Sequence, residues 1–247
     1  MNTALIVAAG KGTRMRTAAC EPDVRVQSRS AREPRAGQEV NKLFLQIAGR
    51  PVIAHTWQRF DSADCIHEIV LVVRDGLQDD FSALAKKFHF KKSFRLVAGG
   101  KERQDSVWNG LEALSKNCEI VAIQDGARPC TNSDLIAATV TAAREMGAAV
   151  AAQRVTDTIK ESKDGQTISA HLQRNLLWSV QTPQTFRVDV IRRALAAVRA
   201  GGLIVTDDTA ACELIGQPVK LIESPTPNPK VTLPSDLPAI SLLLEKE

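Results

Sequence analysis

Short apolar runs alternate with segments of helical period along most of this chain, and no other feature restricts its fold as tightly. Leu5–Ala9 reads as a buried strand, and Ile66–Val73, Phe94–Ala98, Ile120–Gln124 and Ala148–Ala152 read as four more. Between them, Pro51 opens a helix running to about Phe60. Leu77, Phe81, Leu84, Ala85 and Phe88 recur at helical spacing, a helix follows the Gly99–Val107 segment to Leu114, and the Thr131–Asp134 cluster caps another that reaches Met146. Val188, Ile191, Leu195 and Val198 mark a further amphipathic helix, Val219–Ile222 a strand, and Leu237, Ile240 and Leu244 the closing helix. Such alternation predicts an α/β fold, doubly wound, with a mostly parallel sheet covered on both faces and ligands bound outside the carboxyl ends of the strands. At 247 residues the chain can bury a full core as one large domain or as one domain with an excursion, and the latter is expected.

The rhythm breaks twice. Residues 16–41 carry few large apolar side chains and no period, with five arginines against four acids, and read as a long loop insertion, a solvated lid in preference to an RNA-binding arm. From about residue 155 to 180 the chain reads as extended segments joined by a turn around Lys163-Asp164-Gly165, a β-arm projecting from the domain. An isolated hairpin is marginal in water, so packing against a second subunit is the natural way to stabilise it, and a homodimer is expected.

Charge and cysteine usage narrow the function. Lys and Arg number 32 against 28 acids, a scattered net charge of +4 that suits a small anionic ligand better than nucleic acid. The five cysteines are odd in number and contain no CxxC pair, so neither a disulfide framework nor a zinc site is indicated, and a reducing, cytoplasmic setting is expected. No run approaches the roughly 18 apolar residues of a membrane span.

The chemistry-bearing loops fall where strands end. Ala8-Ala9-Gly10-Lys11-Gly12-Thr13-Arg14-Met15 joins a strand to helix-compatible residues, and its glycines, amide groups and two cations suit phosphate. An ordinary strand-to-helix turn would read the same from Gly-x-Gly alone. A dinucleotide fingerprint is excluded because Met15 stands where its third glycine belongs. A Walker A loop is excluded because Leu5 stands five residues before Gly10-Lys11. Asp125 follows a strand, a position that can hold a magnesium ion, although Asp before Gly also forms turns.

Taken together, the segments AAGKGTRM, GGKERQDSV, DGARPC, the TDT at 156–158, QRNLLWSVQTPQTF, TDDTA and NPKVT resemble the 2-C-methyl-D-erythritol 4-phosphate cytidylyltransferase family, in that family's order from Thr3 to about Ala239. The resemblance implies a Rossmann-like nucleotidyltransferase fold, a homodimer, CTP as donor, a polyol phosphate as acceptor and Mg2+ as cofactor. It also implies roles. Ala8, Ala9, Gly10, Lys11 and Gly12 would cradle the triphosphate, and Arg14, Lys42 and Lys230 would be catalytic cations. Gly100 and Ser106 would read cytosine, through a backbone carbonyl and a hydroxyl. Asp125 would bind CTP through the metal, and Arg128, Thr158, Arg174 and Thr182 would bind the acceptor, with Thr206 and Asp207 as further candidates that also suit a helix cap. The chain departs from the family pattern in three places: Lys42 comes late and after Asn41, Lys101 stands where some relatives carry Asp, and Ser224–Pro229 lacks an acid. Ribitol 5-phosphate cytidylyltransferases share most of these motifs, so the acceptor stays open between the two polyol phosphates. A non-catalytic nucleic-acid-binding descendant is the reading from a different class.

Overall fold

The computed structural model describes residues 1–10 and 41–245. Lys11, Gly12, Arg14 and the insertion up to residue 40 lie outside the described residues. In chain order the elements are β1 (Asn2–Ala8), a 3-10 turn at Lys42–Phe44, β2 (Gln46–Ile47), β3 (Arg50–Pro51), α1 (Val52–Ser62), β4 (Glu68–Val73), α2 (Gln78–Phe88), β5 (Ser93–Ala98), α3 (Arg103–Glu112), β6 (Ile120–Asp125) and α4 (Ser133–Met146). Then follow β7 (Ala148–Arg154), β8 (Lys160–Glu161), β9 (Ala170–His171), β10 (Trp178–Arg187), α5 (Val188–Ala200), α6 (Asp208–Glu213), β11 (Lys220–Glu223) and α7 (Leu237–Leu244).

Among the described residues the main sheet has seven strands in the order β11-β7-β10-β6-β1-β4-β5. β1 pairs parallel with β4 and β6, β4 with β5, and β7 with β11, while β10 runs antiparallel between β6 and β7. The chain leaves β1 towards β4 and β5, then returns to place β6 on β1's other side. That reversal opens a crevice at the carboxyl ends of β1 and β6.

The sheet is covered on both faces, which is why Ala4–Ala8 of β1 and Ile69–Val73 of β4 read as unbroken apolar runs. Ala4, Ile6 and Ala8 pack with Trp57, Phe60 and Phe81 on one side, and Leu5 packs with Val107, Leu111, Phe186 and Leu195 on the other. Residues of a strand alternate between faces, so each layer of helices receives every second side chain of β1. Cys130 and Cys212 sit in these cores at 2% and 0% exposure. Burial pushes the Cys130 thiol up to about 11 and the Cys212 thiol to about 12. Peptide mapping after brief iodoacetamide treatment at pH 8 should find both unmodified in the native chain and both modified after unfolding; equal labelling in the two states would contradict this placement.

The largest difference from the sequence expectation is β10. The extended run was expected to stop at Val180, yet the strand continues to Arg187 as a central member of the sheet. Pro183 lacks an N–H and argues against a central strand. The structure accommodates it at an irregularity, where the register with β7 shifts between Val180 and Gln184. Pro51 precedes α1 as its N-cap instead of opening it, because it closes the β2–β3 hairpin. Within the expected arm, β8 and β9 pair antiparallel, Lys160 with His171 and Glu161 with Ala170. Their turn is organised by Asp164, whose carboxylate accepts from the Gln166 and Thr167 amides at 2.9 and 2.8 Å. No helix among the described residues is long and apolar enough to cross a membrane.

Candidate active site

A cleft of about 500 Å3 opens at the carboxyl ends of β1 and β6. Ala8, Ala9 and Gly10 form one wall, the turn from Gly100 to Ser106 another, and Lys42, Asp125 and Lys230 face them. The glycine turn is set by close approach. A Cβ on Gly99 would lie 2.3 Å from the Cβ of Ala9, and one on Gly100 would lie 2.3 Å from that of Asp105. Ser106 closes the turn: its Oγ accepts from the Gly100 amide at 3.0 Å and donates to the Glu102 carbonyl at 3.2 Å. Glu102 and Asp105 form a reciprocal capping box, which satisfies the first amides of α3 and fixes where the helix starts.

Asp125 is the last residue of β6, so its backbone is held by the sheet while its side chain reaches the cleft. Its Oδ2 accepts from Lys230 Nζ at 2.6 Å and lies 3.8 Å from Arg128 Nε; its Oδ1 lies 3.7 Å from Arg103 Nε. Burial alone would raise this carboxyl, but Lys230, Arg103 and Arg128 together hold it below the usual carboxylate value of 3.8. A lowered native value means that its stabilising contribution is complete above the unfolded value and is lost as pH falls through the native one. The difference in melting temperature between the parent and Asp125→Asn should therefore shrink from pH 7 to pH 3; a difference that stays constant would contradict the sign.

The NPKVT segment is locked onto the end of β6. Asn228, 1% exposed, donates through Nδ2 to the Thr182 carbonyl at 2.8 Å and accepts at Oδ1 from Thr131 at 2.9 Å. Its carbonyl accepts from Arg128 Nη1 at 2.6 Å. The Val231 amide donates to the Ala127 carbonyl at 2.8 Å, and the Val231 carbonyl accepts from Lys42 Nζ at 2.7 Å. Thus Lys42 and Lys230, 188 positions apart, reach the same cleft through one short segment.

Among the sequence-predicted residues, Ala8, Ala9, Gly10, Lys42, Gly100, Ser106, Asp125 and Lys230 line the cleft together. Arg128 stands behind Asp125, and Thr182 lies beneath it, 3% exposed, with its hydroxyl accepting from the Asp125 amide at 3.1 Å. Thr158 and Arg174 are exposed beside the β8–β9 hairpin and do not line this chain's cleft; Arg174 Nη1 donates to the Thr156 carbonyl at 2.7 Å. Asp207 caps α6, its carboxylate accepting from the Ala210 amide at 2.9 Å.

A model of the 2-C-methyl-D-erythritol 4-phosphate cytidylyltransferase family matches residues 26–246. The chain belongs to this family. The enzyme of that name from Alkaliphilus oremlandii is 40% identical over 234 residues, covering 94% of this chain and 90% of the relative, and that from Clostridioides difficile is 37% identical over 248 residues, covering 100% and 95%. The 4-diphosphocytidyl-2C-methyl-D-erythritol synthase of Anaerococcus prevotii superposes with a TM-score of 0.80 at 27% identity, covering 99% of this chain and 96% of that one. The 2-C-methyl-D-erythritol 4-phosphate cytidylyltransferase of Thermus thermophilus superposes with a TM-score of 0.74 at 27% identity over the whole of both chains. The mostly parallel sheet with helices on both faces is thus the fold of this cytidylyltransferase family.

Three residues at the site went unnamed in the sequence reading. Arg103 lies inside GGKERQDSV, between Gly100 and Ser106; Asp208 lies inside TDDTA, next to Asp207; and Asn228 lies inside NPKVT, two positions before Lys230. Their motifs carried the signal, but only the fold shows that Arg103 reaches Asp125, that Asp208 holds Arg103, and that Asn228 braces Arg128 and Thr182.

Proposed function

We infer that this chain transfers the cytidylyl group of CTP to 2-C-methyl-D-erythritol 4-phosphate, releasing pyrophosphate and giving 4-diphosphocytidyl-2-C-methyl-D-erythritol, for non-mevalonate isoprenoid precursor synthesis. Family membership supports the substrates, and one observation carries the chemistry: Lys42, Lys230 and Asp125 meet in a cleft walled by Ala8–Gly10. In the reaction an oxygen of the acceptor phosphate bonds to the α-phosphorus of CTP. The bond from that phosphorus to the oxygen bridging the β-phosphate breaks, and pyrophosphate leaves with the electron pair. Two anions must meet, so positioning and charge stabilisation dominate.

Lys230 and Lys42 act from one side of the cleft, Lys230 on the α-phosphate and Lys42 on the bridging region where charge develops. Their compact ammonium groups on flexible stems suit that task. The triphosphate lies along Ala8, Ala9, Gly10, Lys11 and Gly12, with Arg14 as a further cation. Gly100 and Ser106 bind cytosine, and the rigid Gly99-Gly100 turn supports this because a buried polar edge must be matched closely to discriminate. Arg128 and Thr182, behind and beneath Asp125, hold that carboxylate and its backbone in place at the cleft. Thr158 and Arg174 serve the acceptor from a second subunit's hairpin, in a homodimer; Ile168 and Leu176, each 69% exposed near that hairpin, support an occupied face there. The thiols of Cys65, Cys118, Cys130 and Cys212 are free, which supports a cytoplasmic setting.

Magnesium fits Asp125. The described residues gather no cage of three His, Cys, Asp or Glu side chains, but this ion is commonly held by one or two carboxylates together with substrate phosphates. Among the described residues no hydrogen bond is formed to Asp125 Oδ1, so that oxygen can serve. When bound, the ion would neutralise phosphate charge.

The test is product identity. Incubated with CTP, Mg2+ and methylerythritol 4-phosphate, the chain should yield one pyrophosphate for each diphosphocytidyl polyol found by mass spectrometry. Orthophosphate release, or CTP consumed without that adduct, would overturn the reading.

A further inference from the structure

The carboxylate at the cleft has a second acidic neighbour, Asp208, linked to it through Arg103. Arg103 opens α3 and Asp208 opens α6, and the fold brings them together: Arg103 Nη1 lies 2.8 Å from Asp208 Oδ2, while its Nε stays 3.7 Å from Asp125 Oδ1. The first is a buried ion pair at contact distance; the second is looser, beyond hydrogen-bond distance. Both partners are fixed. Asp208 is fully buried and its amide donates to Gln184 Oε1 at 3.0 Å, and Gln184 Nε2 donates to the capping residue Asp207 at 3.0 Å. Gln104, next to Arg103, ties the start of α3 to the Leu203 carbonyl at 2.9 Å and the Val205 amide at 3.0 Å.

Asp125 therefore has one oxygen taken by Lys230 at 2.6 Å and one held clear of Arg103. We propose that Asp208 is a positioning residue: by gripping Arg103 it keeps that guanidinium from closing on Asp125 Oδ1, leaving the oxygen to a divalent cation that arrives with the nucleotide triphosphate. The proposal rests on the divalent-cation reading of Asp125. Without the Asp208 charge, Asp125 exerts the strongest remaining pull on Arg103. An arginine–carboxylate pair at hydrogen-bond distance would occupy Oδ1 and compete with the metal.

The test uses the full chain without acceptor, so that CTP is bound and not consumed, with Mn2+ as the probe. Equilibrium dialysis with radiolabelled CTP gives the Mn2+ concentration that supports half-maximal binding. Asp208→Asn should need about tenfold more Mn2+, the scale of losses when a group orienting a metal ligand is removed. The double variant Arg103→Gln/Asp208→Asn, which has no guanidinium to collapse, should return to within about threefold of the parent on that scale. A folded Asp208→Asn with the parent's requirement, or a double variant as impaired as the single one, would overturn the proposal. If Asp208→Asn does not fold, Asp208→Ser takes its place: about tenfold more Mn2+ than the parent needs supports the tether, and the parent's requirement contradicts it. If the parent binds CTP equally well without Mn2+, the divalent-cation reading fails and the tether falls with it. A parent that depends on Mn2+ beside variants that match it sinks the tether only.

Discussion

Lys230→Ala should lower kcat for cytidylyl transfer by about 10²–10³, the range for removing one preorganised electrostatic stabiliser, with a much smaller rise in KM for CTP. The lysine is anchored at both ends: its backbone belongs to the Asn228–Thr232 segment held against β6, and its Nζ sits 2.6 Å from Asp125 Oδ2. A cation fixed in this way costs little reorganisation when charge develops on a phosphate beside it. Stability should change far less, by about 1 kcal/mol, because Lys230 is 32% exposed and partly screened by solvent. Arg103 and Arg128 also remain near the carboxylate. Steady-state kinetics and a melting curve on the same preparation check this. If KM for CTP rises as much as kcat was expected to fall, with kcat unchanged, then Lys230 binds the ground state and its assignment to the reacting phosphate is wrong.

Gly99→Ala should damage both the fold and the donor site. The added carbon would overlap the Cβ of Ala9 at 2.3 Å, and Cβ atoms cannot rotate away, so backbone must move. Overpacking of this kind costs about 1–3 kcal/mol. For a chain of this size that corresponds to a fall in melting temperature of roughly 2–4 °C per kcal/mol. The atoms that must shift belong to the wall formed by Ala9 and to the turn carrying Gly100, whose amide is held by Ser106. A glycine turn displaced there should weaken CTP binding about tenfold or more, since displacements of about 1 Å at positioning elements have effects of that order or larger. Calorimetric titration with CTP and thermal melting of the variant check this. A variant with parental melting temperature and parental CTP affinity would show that the turn has room which the close approach denies it.

The frame of this fold was legible because apolar period and strand burial are coupled. Leu5 and Ile6 belong to opposite cores of one strand, so the run around them had to be apolar throughout, and the same holds for Ile69–Val73. Pro183 hid the second half of β10, because a proline's missing donor is tolerated only where the ladder is locally irregular, and an irregularity of register leaves no mark in composition. At the site, Asp125 and Lys230 could be chosen from DGARPC and NPKVT, whereas Lys42 stands outside these motifs, after the insertion. The grip of Asp208 on Arg103 could not, since it joins the starts of two helices 105 positions apart through a buried ion pair that only folding brings together. Thr182 shows the converse: a hydroxyl suited on paper to a phosphate lies buried, accepting from the Asp125 amide.

Cytidylyl transfer to methylerythritol 4-phosphate is tested by kcat/KM for pyrophosphate release, with CTP, UTP and ATP as donors and methylerythritol 4-phosphate and ribitol 5-phosphate as acceptors, in the presence of Mg2+. Release is expected with CTP and methylerythritol 4-phosphate, and rates lower by at least about 10² for every other pair, the order of discrimination that differing polar groups in a fitted site provide. Equal or faster release with ribitol 5-phosphate would contradict the acceptor, and equal release with UTP would contradict cytosine recognition by the Gly100–Ser106 turn.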